Sequence, residues 1–285
     1  MVDSPLQTEQ TFTDTTRRVT GKKKMKTIYK EKCGEIICGD CVEVMKKFPD
    51  NIIDLTVTSP PYDNLRAYKG YVFNFEEIAN QLYRITKQGG VVAWIVGDST
   101  IKGSETGNSF RQALYFKGIG FNLHDTMIYV KRNYMPKTHN RYEQQFEYMF
   151  VLSKGKPRVF NALMKENISR GQIQKGTYRH NGSNLEIIHK YGQKIKEEGI
   201  RTNVWFYSVN VPRIGSDNHP AVFPEKLAED HILSWSNKGD LVLDPMCGSG
   251  TTCGMAKSND RKYMGIDICE EYCGVAKKRL ESIER

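Results

Sequence analysis

The chain has 285 residues, 39% of them hydrophobic, which suffices for one α/β core with a substantial insertion. Its longest apolar run covers 91–96, far short of the roughly 20 residues that span a bilayer, and its start is polar rather than signal-like, which points away from membrane insertion and export. Lys and Arg number 42 against 33 Asp and Glu, and the surplus is local: 1–32 carry +4, 131–201 carry +9, and the remainder sums to −4.

A basic central segment in an otherwise mildly acidic chain suits a polyanion such as nucleic acid, with a solvated lysine-rich loop as the alternative. Residues 1–26 form a polar, basic lead without apolar period, read as a disordered tail. From Glu35 onward, short apolar runs alternate with amphipathic ones, the pattern of a mostly parallel sheet covered by helices on both faces, a doubly wound α/β fold. Strands are expected at 35–38, 52–58, 91–96, 125–131, 147–152, 241–243 and 262–266. Helices are expected at 42–48, 75–86, 109–117, 226–236, 251–258 and 270–284. Between Lys154 and Asn203 the rhythm breaks down into polar sequence with scattered glycines, so 155–210 reads as an insertion between a half at 27–154 and a half at 211–285.

Seven cysteines in a chain without a signal peptide argue for reduced thiols. Cys33, Cys38 and Cys41 have the C-x4-C-x2-C spacing of a plant-type iron–sulfur site, with Cys247, Cys253, Cys269 and Cys273 available as a fourth ligand. Cys38, however, ends a buried strand and reads as a small core residue, and His139, His180 and His189 lack ligand-spaced partners, so no metal is expected.

Two constellations carry chemistry. Leu243-Asp244-Pro245-Met246-Cys247-Gly248-Ser249-Gly250-Thr251-Thr252 is a strand, a glycine turn and a helix start, which lets a ligand approach the backbone and favours a negative group. It lacks the Lys of a P-loop and the third Gly of a dinucleotide fingerprint. About 17 residues on, Tyr263-Met264-Gly265-Ile266-Asp267-Ile268 is a strand ending in a carboxylate placed to accept ribose hydroxyls, so a nucleoside ligand without a phosphate requirement is indicated. The second constellation, Thr58-Ser59-Pro60-Pro61-Tyr62, ends an apolar strand in a turn that offers hydroxyl and carbonyl acceptors beside an aromatic face, suited to an exocyclic amine. An ordinary surface turn is the competing reading. Tyr129, Tyr134 and Tyr142 lie among Lys131, Arg132, Lys137 and Arg141, a mixture that fits a DNA contact or a buried aromatic domain edge equally well.

Together these residues resemble the S-adenosylmethionine-dependent DNA amino-methyltransferases, in the subgroup whose S-P-P-Y motif precedes the donor motif, over most of the chain from Glu35 to Arg279. The order separates it from P-P-Y methyltransferases of ribosomal RNA or protein glutamine, in which the donor motif comes first. Ile37-Cys38-Gly39-Asp40 looks like the family's G-D element and implies that Asp40 lies near the donor adenine. His219-Pro220-Ala221-Val222-Phe223-Pro224 implies that Phe223 and Pro224 wall the donor pocket, whose remaining contacts would come from Asp244, Pro245, Cys247, Gly248, Ser249, Gly250, Thr251, Asp267 and Ile268. Met246 departs from the aromatic that often follows the proline.

The resemblance implies a Rossmann-like catalytic domain with an inserted target recognition region. Its implied activity is methyl transfer from S-adenosylmethionine to the amino group of a base flipped out of double-stranded DNA. Ser59 Oγ and the Pro60 carbonyl accept its N–H groups, Pro61 shapes the turn, and Tyr62 stacks on the base. Ser rather than Asp at position 59 implies cytosine N4; adenine N6 and a DNA-binding reader that has lost catalysis are the alternatives. A cytoplasmic, prokaryotic or viral restriction-modification setting follows from the resemblance, and the recognition sequence, a cognate restriction endonuclease and the oligomeric state are left open.

Overall fold

The structure, a computed structural model, describes residues 25–61, 73–133, 140–174, 177–179, 187–189, 192–208 and 224–283, with backbone alone at 177–179 and 187–189. The first half runs β1 (Lys26–Glu31), β2 (Gly34–Cys38), α1 (Cys41–Met45), β3 (Ile53–Thr58), α2 (Phe75–Ile85), β4 (Thr86–Val96), β5 (Thr100–Ile101), β6 (Ser104–Glu105), α3 (Asn108–Gly118), β7 (Asn122–Lys131) and β8 (Phe146–Ser153). The second half runs β9 (Met164–Glu166), β10 (Thr177–Arg179), β11 (Ile187–His189), β12 (Glu198–Ile200), β13 (Val204–Tyr207), α4 (Glu225–Trp235), β14 (Leu241–Asp244), α5 (Thr251–Ser258), β15 (Lys262–Asp267) and α6 (Glu270–Glu281).

Nine strands form one sheet in the order β1-β2-β15-β14-β3-β4-β8-β7-β13. Its centre is parallel: β2, β15, β14, β3 and β4 run the same way, so their carboxyl ends open on one edge. Alternate side chains of these strands are buried on both faces. On β4, Val91, Ala93 and Ile95 join the core under α4, α5 and α6, whereas Val92, Trp94 and Val96 join the core under α1, α2 and α3. Each such aliphatic residue contributes about 1.5–3 kcal/mol on burial, which is why these strands read as continuous apolar runs rather than alternating ones.

The expected strands and helices all occur, with ends shifted by a few residues. Three features differ from the sequence reading. Residue 26, placed in the tail, begins β1, which pairs antiparallel with β2; KTIYKE is an edge strand burying only parts of Ile28 and Tyr29, so its apolar signal is weak. The strands β7 and β8 are long antiparallel partners, and β8 is antiparallel to β4. Finally, β13, inside the stretch assigned to the insertion, joins the main sheet parallel to β7 because Trp205 and Tyr207 bury in its core.

Among its described residues, the rest of that stretch pairs into short two-stranded pieces, called the ribbon below, rather than a patternless loop. Met164 to Glu166 pairs with Glu198 to Ile200, Ile173 bridges Lys194, and β10 pairs with β11, all antiparallel.

Candidate active site

Four carboxylates lie at the carboxyl ends of adjacent parallel strands or directly beyond them: Asp40 after β2, Asp267 closing β15, Asp244 closing β14 and Asp98 two residues past β4, with Ser59 directly after β3. Crevices outside the carboxyl ends of such strands are where open α/β sheets bind ligands. Both sequence constellations therefore reach the same edge, on the neighbouring strands β3 and β14.

They are also bonded to each other. Thr58, the residue before Ser59, donates its hydroxyl to Asp244 Oδ1 at 2.8 Å, and Thr252 in the first turn of α5 donates to the Val57 carbonyl at 3.1 Å. Asp244 Oδ1 accepts the Met246 N–H as well. Burial pushes the Asp244 carboxyl up to about 6, against the hydrogen bonds from Thr58, Met246 and Thr252 and with the charge of Asp267 adding to the rise.

The glycine turn leans on Asp267, whose Oδ2 accepts the Gly248 N–H at 2.9 Å while Oδ1 accepts the Cys269 N–H at 2.8 Å. Burial raises its pKa, and these two N–H groups oppose the rise. A carboxylate has about four acceptor positions, so Asp267 keeps capacity for a pair of ligand hydroxyls. Gly250 has φ +77°, and a Cβ there would lie 2.8 Å from Ala276 Cβ, so the turn needs glycine both for its left-handed backbone and for its approach to α6. The buried hydroxyl of Thr251 has no partner among the described residues. Acidic acceptors, a glycine turn and an unspent hydroxyl at a helix start fit a donor that carries ribose hydroxyls and an amino-acid end.

Pro245, Cys247 and Ser249 are buried in this turn, Pro224 is buried at the N-cap of α4, and Ile268 is half-buried beyond β15. The Cys253 thiol beside it, together with burial, keeps the Cys247 thiol protonated. Asp40 serves first as the N-cap of α1, its Oδ1 accepting the Val42 and Glu43 N–H groups. Pro60 is buried and Ser59 and Pro61 are half-buried, while Tyr62 and Phe223 lie outside the described residues.

A cavity of about 200 Å³ lies past the ends of β4 and β8, lined by residues that include Gly97, Asp98, Glu105, Tyr142, Phe146 and Tyr148. Thr58 pairs with Trp94, so Ser59 leaves the sheet alongside the strand end that reaches Gly97. Asp98 accepts hydrogen bonds from Thr106 Oγ1 and the Ser109 backbone and side chain, holding the start of α3. The sequence reading did not single out Asp98, although an apolar strand followed by Gly-Asp carries the same signal as Asp40.

Lys131 ion-pairs with Glu147, and Arg141 bonds to the Gly103 carbonyl, so both spend charge within the domain. Arg132 is exposed, and Lys137, Tyr134, His139 and His180 lie outside the described residues. Of the aromatics, Tyr129 belongs to the core and Tyr142 is fully exposed. The seven cysteines are free thiols, and no group of His, Cys, Asp or Glu among the described residues could hold a metal.

A family model of DNA methylases matches residues 53–278. The chain belongs to the N4/N6 amino-methyltransferase family of DNA methylases. This methyltransferase is 56% identical over 240 residues to the orphan methyltransferase M.BamHII of Bacillus amyloliquefaciens, an alignment covering 82% of this chain and 90% of the relative. Among solved structures, PvuII DNA methyltransferase, titled cytosine-N4-specific, superposes with a TM-score of 0.68 at 23% identity, covering 91% of each chain. M1.HpyAVI, solved as a complex with S-adenosylmethionine, gives a TM-score of 0.57 at 24% identity, covering 87% of this chain and 99% of that one. The methyl donor of this family is S-adenosylmethionine. No helix among the described residues is long and apolar enough to cross a membrane.

Proposed function

We propose that this DNA methyltransferase modifies the N4 amino group of a cytosine flipped out of double-stranded DNA. The observation that carries the reading is the Thr58–Asp244 hydrogen bond, which fastens the S-P-P turn to the donor turn at one sheet edge. Ser59 at the first motif position and the likeness to a cytosine-N4-specific enzyme support cytosine over adenine.

The bound donor supplies an electrophilic methyl group on a sulfonium centre. Asp267 accepts its ribose hydroxyls, Asp40 lies on the adenine side, and Pro224 with Phe223 walls the pocket. The turn from Pro245 and Cys247 through Gly248, Ser249 and Gly250 to Thr251 lets the donor approach the backbone closely at the start of α5. The amino nitrogen of cytosine is conjugated with its ring and is a weak nucleophile. Ser59 Oγ and the Pro60 carbonyl accept its N–H groups and aim its lone pair, Pro61 holds the turn, and Tyr62 stacks on the ring. The transfer is direct, so no cysteine acts as a nucleophile. Flipping costs a few kcal/mol, offset by stacking and by contacts to the DNA backbone.

The DNA contacts are assigned to the ribbon at 164–200, joined by Arg132 and Lys137, with Lys131 and Arg141 contributing less because Glu147 and Gly103 already hold them. An isolated two-stranded ribbon is marginal in water, whereas the major groove of DNA admits one. Lys165, Lys194 and Lys196 are exposed along it, as is Arg170, which Glu166 already holds. The enzyme acts on DNA in a bacterial restriction-modification setting, with or without a cognate endonuclease.

Digesting DNA methylated by the purified enzyme to nucleosides and identifying the labelled base by mass spectrometry tests the reading. N4-methylcytosine is expected; N6-methyladenine as the only product would overturn the base assignment while leaving donor and fold untouched.

A further inference from the structure

Arg279 on α6 is 2% exposed, yet its guanidinium is only partly spent. Its Nε donates to the Ser249 carbonyl at 2.9 Å, inside the glycine turn, and its Nη1 ion-pairs with Glu225, the first residue of α4 and the neighbour of Pro224. Its Nη2 is buried and has no partner among the described residues. Gly254 on α5 makes room for this reach, since a Cβ there would lie 3.1 Å from Arg279 Cδ. Burying an arginine with one nitrogen unsatisfied costs free energy that a leucine of similar reach would not. The residue instead links two segments separated by 30 and 54 positions from it, the donor turn and the start of α4.

We infer that Arg279 is a positioning residue for the methyl donor: it fixes the spacing between the glycine turn 247–251 and the Pro224 wall, and so sets donor affinity without touching the donor. Ser249 lies in the glycine turn and Glu225 follows Pro224 at the start of α4, so Arg279 bridges the two elements directly. The guanidinium fork suits this role because it holds a carbonyl and a carboxylate in one plane at once, which an ammonium group does not. The inference rests on the assignment of 247–251 to donor binding, which Asp267→Ala tests separately.

The experiment compares Arg279→Gln, Arg279→Lys and Glu225→Gln with the native enzyme. It measures S-adenosylmethionine affinity by calorimetry, KM for donor against kcat, DNA affinity and Tm. Arg279→Gln should weaken donor binding about tenfold, the scale of one or two lost hydrogen bonds to a charged group, with the loss in KM rather than kcat. DNA affinity should stay within about twofold. Arg279→Lys should recover part of the loss, and Glu225→Gln, which keeps an acceptor, should lose less than Arg279→Gln. Donor affinity within about twofold of native in folded Arg279→Gln would overturn the inference, as would equal losses of donor and DNA binding with a lowered Tm. Should Arg279→Gln fail to fold, Glu225→Ala removes the same bridge from the other side and is read by the same criteria. If Asp267→Ala weakens donor binding and the bridge variants do not, the inference fails and the donor-site assignment stands.

Discussion

In β14, Val242 and Leu243 are 1% and 0% exposed, whereas Met164 on β9 and Ile200 on β12 are 51% and 60% exposed. Both segments are short and apolar in part, yet one lies between layers of helix and the other carries no helix among its described residues. Burial on both faces fixes the register of β14 between β3 and β15, so the side chains at its end are aimed with little freedom. The ribbon pairs through its backbone, with an Arg170–Glu166 ion pair and an Asn167 to Lys196 carbonyl bond on its surface, and Asn167 to Gly171 bulges out of it with Gly171 at φ +76°. Rigid positioning suits the chemistry of a small donor; an exposed, adaptable ribbon suits a long polyanion.

The largest expected effect sharpens the buried side of this contrast. Asp244 titrates near 6 in the folded chain against 3.8 for an ordinary aspartate. Because the folded state holds that proton more tightly, the stabilisation is complete below pH 3.8 and is lost as the pH rises through about 6. The gap corresponds to about 3 kcal/mol. Asp244→Asn removes the titration, so its stability relative to native should rise by about that amount from acid to neutral pH in denaturant unfolding. His231 works in the opposite sense, since burial lowers it to about 4 and its contribution is lost as the pH falls from 6.5 through that value. It is present in both proteins and cancels in the difference. A pH-independent difference would mean that Asp244 is solvated and that the two turns are not locked together.

Next comes Asp267→Ala, which should weaken S-adenosylmethionine binding by about 1–3 kcal/mol in calorimetry, toward the upper end because the Gly248 and Cys269 N–H groups lose their acceptor as well. DNA affinity should change little. Equal damage to both would blur the distinction between the two regions.

Legibility followed the same divide. The helix expected at 251–258 is α5 residue for residue, because a glycine turn starts it and an apolar stripe fills it. The strand at 91–96 was visible because both its faces are buried. The edge strand β1 was not, since half-buried Ile28 and Tyr29 leave polar neighbours to dominate the pattern. β13 had a signal in Val204-Trp205-Phe206-Tyr207, but its polar surroundings hid that this run belongs to the main sheet. In the candidate site, the expectation for Asp244, Asp267 and the S-P-P turn came from strand ends, glycines and prolines, and the structure brings all three to one sheet edge. The Thr58 bond to Asp244 and the Arg279 contacts gave no such signal, because they depend on partners 186, 30 and 54 residues away.

The division of labour between sheet edge and ribbon is tested most directly by one paired titration. A duplex carrying the methylated site is bound by native enzyme and by the triple variant Lys165→Gln, Lys194→Gln, Lys196→Gln across a range of salt, with donor affinity measured on the same preparations. If each cation contacts a phosphate, the slope of log affinity against log salt should flatten by about 2 to 3 in the variant, at roughly 0.9 per contact, while S-adenosylmethionine binds as in the native enzyme. An unchanged slope would contradict the account and leave the ribbon an ordinary solvated surface.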